Sequence, residues 1–101
     1  MRVRTLARLL LGGIILLTGA AAHAQELPQR IRQAGVLRIL VNPIYPPMEF
    51  KDPATGRLMG LDVDLAEALA GRLGVRVEWQ ESSFAQLIPS LQTGRADMIL
   101  S

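Results

Sequence analysis

Cysteine is absent from this 101-residue sequence, and histidine occurs once, at His23. Without cysteine the chain forms no disulfide bond, and it lacks the residue at which a lipid-anchored lipoprotein is modified. Zinc, iron–sulfur and haem sites, as well as thiol catalysis, draw on Cys or His side chains. We therefore expect no metal site, no cofactor and no catalytic residue set.

A hydrophobic run long enough to span a bilayer is also missing. The aliphatic stretch Leu9–Leu17 is far shorter than the ~20 residues that a spanning helix requires. Three arginines precede this stretch, and Ala22-His23-Ala24 follows it with small residues at the two positions that a signal peptidase inspects. This order predicts that residues 1–24 are a cleavable secretory signal peptide, with which His23 is removed.

The excess of positive charge belongs to the same segment. Removing residues 1–24 takes away three arginines and leaves eight basic residues against nine acidic ones, so the formal net charge falls from +2 to −1. Aromatic residues make up only 4% of the sequence and form no stacking platform. No Gly-rich phosphate loop is present either. We therefore expect no nucleic-acid partner.

Beyond residue 24, runs with strand character alternate with helical periodicity. Val36–Val41 is a near-continuous aliphatic run, typical of a strand buried on both faces of a parallel sheet. Val75–Trp79 alternates with a period of two, and Met98 begins a third strand. The other predicted elements are a helix at Leu27–Ala34, a hairpin joining Met48–Phe50 to Arg57–Met59, and helices between Asp62 and Gly74 and between Ser83 and Gly94. Strands alternating with helices predict an α/β fold with a parallel sheet and right-handed crossovers.

Several single side chains carry local predictions. Asp62 is expected to be the N-cap of its helix, accepting the free N–H groups of the first turn. Ser83 and Gln86 have the spacing of a capping box, and Pro89 predicts an irregular or 3₁₀ first turn in that helix. Glu49 is interpreted as an exposed hairpin residue and not as an acid–base group.

Three chain segments follow the carboxyl ends of the predicted strands, namely residues 42–45, residues 80–84 and Ser101. Ligands of open α/β sheets bind beyond these ends, so we expect the three segments at one edge. Tyr45 lies in a loop stiffened by prolines and is expected to be an aromatic wall for a ligand. The alternative is packing against the core. Phe84 has two interpretations as well, ligand contact or a core or hydrophobic-staple residue.

Polar groups complete this edge. Ser101 can offer a hydroxyl and a backbone N–H group to an anionic ligand, although a single Ser is more often structural. Asn42 can hydrogen-bond a ligand or close the loop after the first strand. The candidate ligand-binding residues are therefore Tyr45, Phe84, Ser101 and Asn42.

Five motifs in order resemble one protein family. They are Gly35–Arg38, Tyr45–Phe50, Gly60–Leu65, Leu87–Leu91 and Gly94–Ile99. The sequence resembles the family 3 extracellular solute-binding proteins, the polar amino-acid receptors of ABC importers. The resemblance covers essentially all of residues 25–101 and implies a two-lobed, type II periplasmic-binding-protein-like fold that closes on an amino acid.

The resemblance also implies residue roles. Tyr45 and Phe84 fall at the aromatic positions that stack on the ligand, and Ser101 falls at the position that binds its α-carboxylate. The position of Asn42 is often an acid that contacts a cationic side chain, so an uncharged amide there puts a lysine or arginine ligand in doubt. The implied partners are a small amino-acid ligand and an inner-membrane ABC permease, with the receptor a periplasmic monomer.

Members of that family continue beyond the position of Ser101. Residues 25–101 therefore correspond to the first half of lobe one, without the arginine and the acid that the family uses to hold the ligand's carboxylate and ammonium groups. We expect weak or no binding by this segment alone. Two other functions stay open, a periplasmic cyclohexadienyl dehydratase-like enzyme on the same scaffold and the sensor module of a larger receptor.

Overall fold

The computed structural model describes residues 27–101, and the predicted signal peptide of residues 1–24 lies outside this range. The elements are α1 (Gln29–Ala34), β1 (Val36–Val41), β2 (Ile44–Tyr45), β3 (Glu49–Lys51), β4 (Leu58–Met59), α2 (Leu61–Leu73), β5 (Arg76–Glu81), α3 (Phe84–Gln92) and β6 (Met98–Ile99). Within the described residues, none of the helices combines the length and hydropathy that crossing a membrane requires.

The central strand β1 belongs to a parallel sheet with the strand order β5-β1-β6. β5 pairs with β1 along its whole length, from Val36 opposite Arg76 to Val41 opposite Glu81. β6 pairs on the other side, where Ile39 lies opposite Met98. The predicted α/β fold with a parallel sheet is confirmed. Because the strand order changes direction between β1 and β6, a crevice is expected beyond their carboxyl ends.

Different helices cover the two faces of β1. Ile39 packs with Ile31 of α1 and Ala66 of α2. On the opposite face, Leu40 packs with Leu87 of α3. Consecutive side chains of a strand point to opposite faces, so this pattern confirms that β1 is buried on both sides. Each fully buried aliphatic side chain stabilises the fold by about 1.5–3 kcal/mol.

A second, antiparallel sheet has the order β2-β3-β4. The predicted hairpin is confirmed as β3 and β4, which pair through Phe50 and Met59. Strand β2 is an addition, since its two residues were predicted as loop. Its pairing places Tyr45 directly opposite Glu49, and the intervening turn is closed by a hydrogen bond from the Met48 N–H group to the Tyr45 carbonyl oxygen at 2.9 Å.

Helix α2 begins at Leu61, so the prediction that Asp62 is its N-cap is wrong. The N-cap position belongs to Gly60, whose φ is 127°. A Cβ atom there would overlap the carbonyl group of Met48, and glycine therefore permits the close approach of the two segments. The Leu61 N–H group donates to the carbonyl oxygen of Pro47 at 3.0 Å. The Asp62 N–H group donates to the Met48 carbonyl oxygen at 2.9 Å. Backbone carbonyl groups thus replace the predicted carboxylate cap.

Helix α3 starts after Ser83, as predicted, but its cap differs from a capping box. The Ser83 side chain makes no capping hydrogen bond. Instead the Gln86 N–H group donates to the Ser83 backbone carbonyl oxygen at 3.0 Å, a 3₁₀-type bond at the helix start. Pro89 lies inside the continuous helix and removes one of its N–H donors. Apart from this bond the element is α-helix from Phe84 to Gln92, so the prediction of an irregular or 3₁₀ first turn is wrong, and Pro89 does not interrupt the helix.

An ion cluster fastens the start of β6 to β1 and α1. The Asp97 carboxylate accepts hydrogen bonds from the Arg38 backbone N–H group at 2.8 Å and from the Arg30 guanidinium at 2.6 Å. The Arg38 guanidinium lies 3.4 Å from the same carboxylate. Burial alone would raise the pKa of Asp97, but the Arg38 hydrogen bonds and the charges of Arg38 and Arg30 outweigh it and lower this pKa.

Candidate ligand-binding site

A cavity of about 310 Å³ lies at the carboxyl ends of β1 and β6. Its lining residues are Asn42, Ile44, Tyr45, Glu49, Phe84 and Ser101. All of the ligand-binding candidates predicted from the sequence therefore border a single space, although their contact with a ligand stays a prediction. The lining carries one acidic side chain and no basic one.

The two aromatic rings of the cavity are exposed and do not belong to the core. Tyr45 is 66% exposed and Phe84 is 73% exposed. The alternative that either residue is a core residue is therefore wrong. Tyr45 is held by the pairing of β2 with β3, and Phe84 is the first residue of α3. Exposed rings on ordered elements offer stacking surface at a small entropic cost of ordering.

The polar floor of the cavity forms where β1 and β6 end. The Asn42 backbone N–H group donates to the Ser101 Oγ atom at 3.2 Å. The Ser101 hydroxyl lies 3.3 Å from Glu49 Oε1 and 3.5 Å from the Asn42 carbonyl oxygen. The same Asn42 carbonyl oxygen accepts a hydrogen bond from the Ile44 N–H group at 2.9 Å, which closes the loop after β1. Asn42 thus shapes the loop through its backbone and also borders the cavity.

Glu49 is a residue of the cavity that the sequence does not predict. The prediction that it is an exposed hairpin residue is wrong, because only 3% of it is exposed. The reason is the β2–β3 pairing: residues directly opposite each other on antiparallel strands project from the same face. The side chain of Glu49 therefore lies on the same face as that of Tyr45, and both border the cavity. The sequence signal for this arrangement is the short Pro46–Pro47 turn, which allows Tyr45 and Glu49 to pair across it.

The environment of the Glu49 carboxyl group is unusual. One oxygen, Oε1, faces the Ser101 hydroxyl, while Oε2 is buried with no hydrogen-bond partner among residues 27–101. Burial and, after it, the neighbouring Asp62 carboxyl group raise the pKa of Glu49, and the Ser101 hydroxyl opposes them. A buried carboxyl group beside a second one favours the protonated form more than an exposed glutamate does.

A larger cavity of about 470 Å³ lies between the hairpin and α2 and shares no lining residue with the first. Leu58, Val63 and Trp79 form part of its wall, together with charged side chains of α2. It lies beside the helix face and not at the strand ends where ligands of open α/β sheets bind. Among the described residues, no group of three or more His, Cys, Asp or Glu side chains is placed to hold a metal ion.

The family model of the bacterial extracellular solute-binding proteins, family 3, matches residues 37–101. The arginine-binding protein ArgT of Corynebacterium glutamicum is 40% identical over 72 residues, which are 71% of this chain and 23% of that protein. The histidine-binding periplasmic protein of Salmonella typhimurium is 36% identical over 88 residues, 87% of this chain and 31% of that protein. The chain thus spans less than a third of the length of these curated relatives.

Solved structures have the same fold. The arginine-bound form of domain 1 of TmArgBP, from T. maritima, superposes with a TM-score of 0.70 and 40% identity, over 74% of this chain and 59% of that domain. An ancestral cationic amino-acid solute-binding protein, AncCDT-1, superposes with a TM-score of 0.68 and 43% identity, over 71% of this chain and 31% of that protein. A structure of AncCDT-1 is also described as a precursor of cyclohexadienyl dehydratase.

Proposed function

Because this chain belongs to the bacterial extracellular solute-binding proteins, family 3, we propose that it forms the lobe-one side of an amino-acid site in a periplasmic receptor of an ABC importer. Its fold is part of a type II periplasmic-binding-protein domain. In this proposal residues 1–24 direct export and are removed, and residues 25–101 are the first part of lobe one. The receptor acts as a monomer and delivers its ligand to the permease.

The observation that carries this proposal is the meeting of Asn42, Tyr45, Phe84 and Ser101 around one cavity. In our proposal the two rings stack on the side chain of the ligand. The Ser101 backbone N–H group binds the α-carboxylate, and Asn42 contacts the polar end of the ligand. The exposed rings become buried when a second lobe closes over the ligand, and closure is favoured because the ligand contacts both lobes only in the closed state.

The ligand that we propose is an amino acid with a nitrogen-bearing side chain. Relatives of this chain are named for arginine and histidine, and the lining contains the Glu49 carboxyl group but no basic side chain. A cation over an aromatic face gains about 0.5–2 kcal/mol, which suits the ring pair. The uncharged Asn42 counts against a lysine or arginine ligand, and the carboxyl group of Glu49 is the acidic group that the lining offers to a cationic side chain.

A titration of the purified chain tests this function. Chemical shifts of the ¹⁵N-labelled chain are followed as L-arginine, L-histidine, L-glutamine or L-glutamate is added. We expect Kd values of about 1 mM or weaker for arginine and histidine, which is about −4 kcal/mol, and weaker binding of glutamate. The sequence left both weak binding and no binding open; because domain 1 of TmArgBP is arginine-bound as a single lobe, we propose weak binding here.

The resonances that move decide the location of the site. Shifts are expected at Tyr45, Phe84 and Ser101, and the exposed Ile88 on α3 serves as the internal control. Tyr45→Ala and Phe84→Ala should each weaken arginine binding, whereas Ile88→Ala should not. No shift with any amino acid, or shifts confined to the cavity that contains Trp79, would contradict the proposal.

A second candidate function is a dehydratase-like enzyme. The likeness to AncCDT-1 favours this function. The carboxyl group of Glu49, whose pKa is raised, lies in the cavity and could exchange a proton with a substrate. The relatives named above are binding proteins, so binding without turnover is the activity we propose. Proton NMR spectra of a cyclohexadienyl substrate incubated with the chain separate the two, because an enzyme would convert the substrate and a receptor would leave it unchanged.

A further inference from the structure

The hydrogen-bonding capacity of the Ser101 hydroxyl limits what it can present to a ligand. A hydroxyl group has one proton to donate and two lone pairs that accept. One lone pair is taken by the Asn42 backbone N–H group at 3.2 Å. The proton has two acceptors within reach, Glu49 Oε1 at 3.3 Å and the Asn42 carbonyl oxygen at 3.5 Å. What remains for a ligand is one lone pair.

Glu49 is the stronger of the two acceptors. Its oxygen is nearer, and a carboxylate attracts a donor proton more strongly than an amide carbonyl group does. The Asn42 carbonyl oxygen is also already bonded to the Ile44 N–H group at 2.9 Å. The Ser101 proton is therefore directed to Glu49 and is not offered to a ligand.

Asp62 is the other carboxyl group that affects Glu49. It is half-buried on α2 and, after burial itself, raises the pKa of Glu49, whereas the Ser101 hydroxyl lowers it. The Ser101 contact is with Oε1, while Oε2 has no hydrogen-bond partner among residues 27–101. The other groups that border Glu49 in the cavity are the phenol of Tyr45 on β2, the amide of Asn42 after β1 and the Ser101 hydroxyl after β6.

We propose that Glu49 is a positioning residue of the binding site: it accepts the hydroxyl proton of Ser101 and so leaves the Ser101 oxygen as an acceptor for an N–H group of the ligand. This inference rests on the proposed function and specifies which kind of ligand group the Ser101 hydroxyl binds. The Ser101 side chain selects a guanidinium, imidazole or ammonium donor, while the backbone N–H group of Ser101 stays available to a carboxylate.

A titration without ligand tests the Glu49–Ser101 contact directly. The side-chain carboxyl ¹³C resonance of Glu49 is followed against pH in the wild-type chain, Ser101→Ala, Asp62→Asn and the control Ser82→Ala, whose hydroxyl bonds the Ser83 carbonyl oxygen. Loss of the Ser101 donor should raise the pKa of Glu49, and loss of the Asp62 charge should lower it. Ser82→Ala should have no effect. An unchanged Glu49 pKa in Ser101→Ala would overturn the proposal whether or not a ligand binds.

Binding of two probes tests which ligand group forms a hydrogen bond with the Ser101 hydroxyl. L-arginine carries a carboxylate and N–H donors, whereas agmatine, its decarboxylated analogue, keeps the donors only. Ser101→Ala should weaken both by about tenfold, the effect of one hydrogen bond of about 1.4 kcal/mol. Weakened arginine binding with unchanged agmatine binding would show that the hydroxyl donates to the carboxylate and would overturn the proposal.

A double-mutant cycle separates positioning from a general structural role. Glu49→Gln should weaken arginine binding by about threefold, because an amide oxygen is a weaker acceptor than a carboxylate. The same change should have no further effect in the Ser101→Ala background. Additive losses would contradict the proposal, and thermal unfolding of each variant verifies that it is folded. If the wild-type chain binds neither probe, the proposed function fails, and the ligand-free titration still decides the role of Glu49.

Discussion

Replacing Gly60 by alanine should strongly destabilise this structure, because glycine at this position lets the Pro47–Met48 segment lie against the start of α2. Its φ of 127° and ψ of 177° lie in a region open essentially only to glycine, so a side chain there costs about 1–3 kcal/mol. The added Cβ would also overlap the Met48 carbonyl group and lie 2.9 Å from the Pro47 oxygen. These are backbone atoms that cannot rotate away.

Relief of that overlap breaks the hydrogen bonds that join the loop to the helix. The bonds from the Leu61 and Asp62 N–H groups to Pro47 and Met48 contribute about 1 kcal/mol each. With the backbone strain, the expected loss in the free energy of unfolding is about 3–5 kcal/mol. Urea denaturation followed by circular dichroism measures it, and the midpoint should fall with an unchanged m-value.

Gly71→Ala is the matched control. Gly71 lies inside α2, and a Cβ atom there would have no atom within 4 Å. Alanine should therefore stabilise the helix by about 0.5–1 kcal/mol. The double variant supplies additional stability if Gly60→Ala alone is unfolded. A loss below about 1 kcal/mol for Gly60→Ala would refute the argument that this close approach requires glycine.

Three further predictions follow from buried and exposed groups. Asp97→Asn should destabilise the chain by about 1–3 kcal/mol in urea denaturation, since it removes charge-assisted bonds to Arg38. Folding lowers the pKa of Asp97, so the stabilisation by its carboxylate is complete above its unfolded pKa and is lost as the pH falls through the folded pKa. The acid limb of a pH–stability curve should therefore flatten in the variant. Ile39→Ala, at a fully buried position, should cost about 2–5 kcal/mol by the same assay. Tyr45→Ala and Phe84→Ala should change the free energy of unfolding by less than about 0.5 kcal/mol, because both rings are exposed.

The sequence predicted the parallel sheet because its strands carry strong local signals. Val36–Val41 is apolar at nearly every position, and the structure gives β1 those same bounds. The alternation of strands and helices then fixed the crossovers, so that the carboxyl ends of the strands met at one edge. Asn42 and Ser101 come together for this reason, as predicted.

The errors concern groups whose environment depends on tertiary contacts. Asp is a residue type that often caps helices, but the first N–H groups of α2 donate to the backbone carbonyl groups of Pro47 and Met48. These carbonyl groups can approach the helix because Gly60 has no side chain. The sequence pattern around Glu49 is that of an exposed hairpin strand. Pairing with the two-residue strand β2 places its side chain on the face that borders the cavity. A strand of two residues has too little sequence pattern to be recognised from periodicity.

Intermolecular nuclear Overhauser effects between L-arginine and the chain test the central claim most directly, namely that one cavity at the carboxyl edge binds the ligand between two rings. The side-chain methylene protons of arginine should show cross-peaks to the ring protons of both Tyr45 and Phe84. Cross-peaks to Trp79 in the cavity beside α2, with none to the two rings, would contradict the account.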